Sequence, residues 1–252
     1  MKNRRWLSYN ELAWLERIVA PPDEYAKETE KLCKLIREHS NIKPKTLLHL
    51  GSGAGINDYT FKKHFEVTGV DISRGMIEEA KKLNPDVTYF NEDMRTVELE
   101  RIFDTVVIPE AINYMTTVED IRKVINTVDK QLKPGGVFLF ITHLREEFME
   151  NNFVYTGSEG SVEVTVFENN YLPDPEGTTY EATMVYLVRS DGELEIYTDL
   201  HLLGLFGLDL WLKYLKRAGF EVEVRKEEDN YTPYILGEGK YPLRIFICNK
   251  PL

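Results

Sequence analysis

Five residues, Gly51-Ser52-Gly53-Ala54-Gly55, follow directly on the apolar run Leu47-Leu48-His49-Leu50, and they constrain this chain more than any other segment. A second apolar run, Val67-Thr68-Gly69-Val70, ends in Asp71, and a third, Val87-Thr88-Tyr89-Phe90, is followed by Asp93-Met94. Each acid sits where a strand should stop. Glycine lets the backbone turn sharply and lets a ligand approach without a Cβ in the way. A helix that follows points its free N–H groups and its positive end at that ligand. This is the layout of a nucleoside-containing cofactor lying along the carboxyl edge of a doubly wound sheet. Asp71 is placed to accept hydrogen bonds from both hydroxyls of a ribose; its alternative role is a solvated acid capping the next helix.

The flanking pattern agrees with an α/β fold. Strands are expected at 46–50, 66–70, 87–91, 104–109 and 136–142, and helices at 56–64, 74–83 and 117–132. Strands alternating with helices imply right-handed crossovers and a parallel sheet. Lys133-Pro134-Gly135-Gly136 reads as the turn into the fifth strand. Ahead of this region, Trp6, Leu7, Trp14, Leu15 and Ile18 fall at helical spacing, Pro21-Pro22 stops that helix, and Asp23 is a candidate cap for a second one ending near His39.

After Thr142 the period changes. Val162, Val164 and Val166 alternate on one face, and Tyr180, Ala182, Met184 and Tyr186 on another. Turn clusters at Thr156-Gly157-Ser158, Pro173 to Gly177 and Ser190-Asp191-Gly192 separate the runs. The segment predicts a small antiparallel sheet. A helix near 207–218 and strands at 220–224 and 243–247 return the chain to the core. The expected division is a cofactor-binding core, residues 1–142 and 206–252 with its N-terminal helices in 1–42, and a β insert, residues 143–205, that leaves the core at the edge where ligands bind.

Charge narrows the partners. The chain of 252 residues has a net charge of −11, the opposite of the basic surface needed to grip a phosphate backbone, so nucleic acid is disfavoured. The insert carries the whole of that charge: from His143 to Leu205 thirteen Asp and Glu stand against Arg145 and Arg189. An acidic insert beside an acceptor favours a cation or amine, although acids alternating with apolar residues are also what a half-exposed sheet shows. No run of 18 apolar residues predicts a membrane span, and the basic start before Trp6 lacks the apolar segment of a signal peptide. Cys33 and Cys248 have no metal-ligand spacing and make no disulfide framework. A cytoplasmic protein without a metal is expected.

The glycine loop, Asp71, the Asp93-Met94 pair and Lys133-Pro134-Gly135-Gly136 together resemble the class I S-adenosylmethionine-dependent methyltransferases, over about residues 45–142 and again over Phe220 to Ile247. That resemblance implies a Rossmann-like sheet of seven strands with the last antiparallel. It assigns Gly51, Gly53 and Gly55 to the methionine part of the cofactor and Asp71 to the ribose. It assigns Ile72 and Met76 to the apolar face of the adenine, and Asp93, with Met94 beside it, to the adenine amine. His49 departs from the acid that this family often carries there. Asp93-Met94-Arg95, Asp199-Leu200-His201-Leu202 and Glu11-Leu12-Ala13-Trp14 with Arg17 look like the small N-methyltransferases of amino-sugar biosynthesis. By that match Trp14 and Arg17 would close over the cofactor; their alternatives are a packed helix residue and a surface ion pair.

Methyl transfer from a sulfonium is a direct displacement, so alignment and water exclusion supply most of the rate. A general base matters when the attacking atom arrives protonated. Candidate catalytic residues sit at strand ends: Glu110 after the fourth strand, Tyr114 one turn later, and His201 at the end of the insert, with His143 after the fifth strand as a further candidate. Each has a bland alternative: a cap for Glu110, a packed ring for Tyr114, and a hydrogen-bonded structural imidazole for the two histidines. The expected reaction is methyl transfer to a small-molecule amine. An O-methyltransferase, a NAD-type oxidoreductase and a cofactor-binding protein without turnover are the alternatives. The missing third glycine of G-x-G-x-x-G and the Asp93-Met94 pair argue against NAD. The insert is also suited to be the surface of a homodimer.

Overall fold

The computed structural model describes residues 6–227 and 231–252. The basic start, Met1 to Arg5, therefore lies outside the described residues. Among those described, one sheet has seven strands and a second has four.

The N-terminal part is less helical than its spacing predicts. Only a 3₁₀ turn, Ala13–Leu15, and the short helix α1, Glu16–Val19, form before Pro21. Polar groups ahead of them are committed elsewhere: Ser8 N–H donates to Asp199 Oδ2 at 2.9 Å, and the Asn10 amide donates to the Trp6 carbonyl at 2.7 Å. The Asn10 bond is local, and bonds of that kind compete with the helical ladder. Helix α2, Pro22–His39, then starts with proline in its first turn, where the missing N–H costs nothing. Pro21, not Asp23, occupies its N-cap.

Strand β1, Thr46–Leu50, runs into the glycine loop and the one-turn helix α3, Asp58–Phe61. The expected helix over 56–64 stops early because the chain tightens into i+3 bonds, from Lys63 N to Thr60 O and His64 N to Phe61 O. Strand β2, Glu66–Asp71, helix α4, Arg74–Leu83, strand β3, Thr88–Asn91, strand β4, Phe103–Ile108, and helix α5, Val118–Gln131, follow close to their expected bounds. Ser73 caps α4 and Thr117 caps α5 through side-chain oxygens that accept from Met76 N and Asp120 N. Strand β5, Leu132–Thr142, absorbs the predicted Lys133-Pro134-Gly135-Gly136 turn as an irregularity in register with β4.

Strands β6, Asn151–Glu159, β7, Val162–Tyr171, β8, Thr179–Ser190, and β9, Glu193–Gly204, form the antiparallel second sheet. Two expectations change here. Thr156-Gly157-Ser158 is strand, not turn: a Cβ on Gly157 would lie 2.0 Å from the Ile18 carbonyl oxygen, so this glycine serves the close approach of the N-terminal segment. The register pairs Val166 with Tyr186 and Val164 with Val188, so the valines of β7 and the aromatics of β8 share a single inner face. Helix α6, Leu208–Arg217, and strands β10, Glu221–Lys226, and β11, Arg244–Asn249, complete the chain. The large sheet has the order β10-β11-β5-β4-β1-β2-β3, with β11 antiparallel to both neighbours.

Apolar clusters cover both faces of the large sheet, one around Phe138, Phe140, Trp211 and Phe246 and the other around Leu32, Ile36, Phe61 and Leu139. A third joins Leu12, Leu15 and Ile18 to Val164, Tyr186 and Val188, fastening the N-terminal segment to the inner face of the second sheet. None of the described helices is long and apolar enough to cross a membrane.

Candidate active site

A cavity of about 1550 Å³ lies between the carboxyl edge of the large sheet and the inner face of the small one. The glycine loop enters it from β1. Gly51, Gly53 and Gly55 all hold left-handed φ, at 72°, 54° and 76°. Their reasons differ. A Cβ on Gly51 would stand 2.3 Å from that of Ala111, and one on Gly55 would meet Asn84 and Tyr89 at 2.7 Å. Gly53 has nothing within 4 Å and opens on the cavity. Gly51 and Gly53 line the cavity; Gly55 lies behind it and shapes the loop.

Asp71 ends β2 half-buried, its Oδ2 accepting from Gly53 N–H and its Oδ1 from Ser73 N–H, both at 2.8 Å. Burial pushes its carboxyl above the usual range, and those two N–H groups hold the rise down. Ile72, Met76 and Met94 line the same end of the cavity, with Ile72 54% exposed. Asp93 is already engaged: Arg95 Nε bonds both its oxygens, and Arg95 Nη1 reaches Asp120 at 2.8 Å. Burial raises the Asp93 carboxyl, but Arg95 outweighs it and leaves the group below its usual range. Beneath the loop, His49 Nδ1 and Asp58 Oδ1 are 2.7 Å apart and buried, and Asp58 Oδ2 accepts from Tyr89 at 2.9 Å. Thus the histidine that stands at an acid's position has an acid of its own, brought from α3.

The second group of polar residues comes from three distant segments. Tyr9 and Tyr114 hydroxyls are 2.6 Å apart, and Tyr114 is 2.5 Å from His201 Nδ1. His201 Nε2 is 2.9 Å from Asp199 Oδ2, which also accepts from the Ser8 hydroxyl at 2.7 Å. Burial lowers the His201 pKa against the pull of Asp199, so the ring is neutral at neutral pH. Burial raises Asp199, but Ser8 and His201 outweigh it and keep the carboxylate ionised. An acceptor-only carboxylate puts the single ring proton on Nε2. Nδ1 then accepts from Tyr114, and Tyr114 accepts from Tyr9. Tyr9, Ser8 and Trp6 were missed in the sequence because their distance along the chain from residue 201 carries no periodic signal.

Glu110, beyond β4, adopts φ 60°, rare for a residue with a side chain and strained by roughly 1–3 kcal/mol. Its Oε1 accepts from Tyr231 at 2.5 Å. Burial pushes its carboxyl up to about 7, with Glu28, Glu168 and Glu227 adding to the rise. It stands at the N-cap of the 3₁₀ turn Ala111–Tyr114 without a side-chain cap bond, so it faces the cavity instead of capping.

Three expected site residues lie elsewhere. Trp14 packs with the N-terminal apolar cluster, and Arg17 makes an exposed ion pair with Glu159 at 2.6 Å; neither lines the cavity, whose aromatic wall at this end is Trp6 and Tyr9. The cause is the broken helix, which turns residues 14 and 17 toward the second sheet. His143 is boxed by Phe148, Tyr180 and Tyr241, bonds the Pro242 carbonyl through Nδ1, and is driven by burial to a pKa of about 4. It is a structural imidazole.

Residues 47–136 match the methyltransferase domain family. This chain is an S-adenosylmethionine-dependent methyltransferase. The enzyme is 27% identical to dTDP-4-amino-2,3,4,6-tetradeoxy-D-glucose N,N-dimethyltransferase of Saccharopolyspora spinosa, over 79% of this chain and 80% of the relative. It is 26% identical to dTDP-3-amino-3,4,6-trideoxy-alpha-D-glucopyranose N,N-dimethyltransferase of Streptomyces venezuelae, over 79% and 85%. In fold it is similar to the crystal structure of DesVI from Streptomyces venezuelae, with a TM-score of 0.78, 24% identity and 96% of each chain covered. The NAD reading is set aside by these matches. The geometry leaves room for such a cofactor: an open Gly53, the Asp71 carboxylate at the end of β2 and an apolar ledge of Ile72, Met76 and Met94 line one end of the cavity.

Proposed function

We propose that this enzyme methylates an amine nitrogen of a small molecule, and that the chain Tyr9–Tyr114–His201–Asp199 takes up the proton the amine sheds. The cofactor, when bound, supplies a sulfonium methyl whose displacement leaves a neutral thioether. Everything else falls to the protein. Gly51 and Gly53 admit the methionine part, Asp71 holds the ribose, and Ile72, Met76, Asp93 and Met94 receive the adenine. The insert, residues 143–205, caps the acceptor.

The observation that carries this reading is the one-way order of the hydrogen bonds. Tyr9 donates toward His201, so its remaining lone pairs face the cavity and are ready to accept from an acceptor N–H. A proton entering there ends on His201 Nδ1, where Asp199 stabilises the imidazolium. Support for an amine over a hydroxyl comes from the carboxylates around the cavity, which draw in a cation more strongly than a neutral alcohol. The two relatives above are named as N,N-dimethyltransferases of amino sugars.

Two variants test it in parallel. Asp71→Ala should weaken binding of S-adenosylhomocysteine, measured by calorimetry, by about tenfold or more, since hydrogen bonds to a charged group contribute about 1.5–3 kcal/mol. Tyr114→Phe should leave that affinity unchanged and lower kcat by about 10² or more, the span of general acid–base catalysis. Full turnover in Tyr114→Phe would remove the relay, and undiminished affinity in Asp71→Ala would remove the cofactor assignment.

A further inference from the structure

Resting on the amine-methyltransferase reading, we propose that the acceptor is a phosphate-free diamine: one nitrogen is methylated beside Tyr9 and Tyr114, and the second, an ammonium, is held by Glu110 and Glu168.

Charge is the first argument. Among the described residues that line the cavity there are nine carboxylates and no lysine, and Arg95 is the sole arginine. Arg95 is bound to Asp93 and Asp120. A nucleoside diphosphate needs cations or free N–H groups that match its oxygens. The described walls offer it repulsion instead. The amino-sugar relatives are named for substrates that carry dTDP, so this cavity departs from them in the chemistry it favours.

Placement is the second argument. Glu110 and Tyr114 flank one 3₁₀ turn at the end of β4. The reacting nitrogen belongs beside Tyr9, itself bonded to Tyr114, where the proton path starts. Glu168 comes from the inner face of β7, near enough to Glu110 for the two charges to repel. Tyr180 and Tyr241 feel both carboxylates, and both line the cavity. Two carboxylates in a tyrosine-walled recess, with no cation among the described lining to neutralise them, are matched by an ammonium through charge and cation–π attraction.

In the reaction the C–S bond of the donor breaks as the N–C bond forms. The sulfur keeps the electron pair, and the amine proton passes through Tyr9 and Tyr114 to His201 Nδ1. The distal ammonium keeps its proton throughout.

The test uses the full chain saturated with S-adenosylhomocysteine at pH about 8, above the raised Glu110 carboxyl. Calorimetry compares α,ω-diamines from diaminopropane to diaminohexane with the matching monoamines and with thymidine diphosphate. At least one diamine should bind tenfold or more tighter than its monoamine. Glu168→Gln should erase that gap and leave the monoamine unchanged, and thymidine diphosphate should not bind. Equal affinities for diamines and monoamines, binding of thymidine diphosphate, or a gap that survives Glu168→Gln would each overturn the proposal. Loss of S-adenosylhomocysteine binding itself would instead strike the reading on which it rests.

Discussion

Strand β4 carries a carboxylate near each end, and the two are in opposite states. Asp104, at the amino end, accepts from Lys45 N–H and Thr46 N–H at 2.9 Å and from Lys133 Nζ at 2.7 Å. Although burial works against it, those partners bring its pKa down to about 2. Glu110, just past the carboxyl end, sits in a strained backbone with one tyrosine as its bonded partner, and burial lifts it to about 7. The first is built to stabilise the sheet. The second is kept costly on the wall of the cavity, which is the pattern expected of functional groups.

Removing each carboxylate should therefore do opposite things. The largest effect is expected from Asp104→Ala, which strands two backbone N–H groups and a lysine. It should cost about 1.5–3 kcal/mol or more in denaturant unfolding and leave S-adenosylhomocysteine affinity unchanged. An unaltered midpoint would show that the contrast is only apparent.

Glu110→Gln sharpens the same contrast through pH. A carboxyl raised from 4.5 to about 7 binds its proton more tightly when folded. Its contribution to stability therefore falls as pH climbs from 4.5 toward 7 and stays lower above that. Asp104 runs the other way: it contributes above 3.8 and loses that contribution as pH falls toward 2. In thermal melts Glu110→Gln should match the parent at pH about 4 and exceed its Tm at pH about 8. Glu16, also lifted to about 7 by burial and then Asp71, keeps part of the decline in place. A variant less stable at both pH values would mean that Glu110 supports the fold.

The smallest effect belongs to Arg17→Ala. Its pair with Glu159 is 46% and 54% exposed, and exposed pairs contribute about 0–1 kcal/mol. Stability and cofactor affinity should both stay within error. A loss of affinity would return Arg17 to the cofactor site and break the placement of the N-terminal segment described above.

The same division separates the legible from the illegible. Along the large sheet, Gly51, Asp71 and Asp93 each follow a strand within a few residues, and strand ends are visible as the ends of apolar runs. Alternating strands and helices pointed to a parallel sheet with right-handed crossovers, and the family resemblance implied seven strands with the last antiparallel. The second sheet was legible as alternation, but its register was not: nothing local says that Val166 faces Tyr186. Gly157 reads as a turn signal in isolation and becomes strand only because Ile18 packs against it. Trp14 fell at helical spacing, but the chain around it forms only a 3₁₀ turn and a short helix, with Ser8 N–H bonded to Asp199 from 191 positions away.

What the sequence determined by itself was the class of fold and the sheet edge at which Gly51, Asp71 and Met94 gather on one cavity. These depend on φ preferences and short-range periodicity, which act within a few residues. The tertiary structure alone assembled the Tyr9–Tyr114–His201–Asp199 chain, the pair of His49 with Asp58 and the shared cavity of Glu110 and Glu168. The longest of these contacts joins residues 105 positions apart. Their energies depend on burial and mutual orientation, and neither exists until the second sheet has closed over the first.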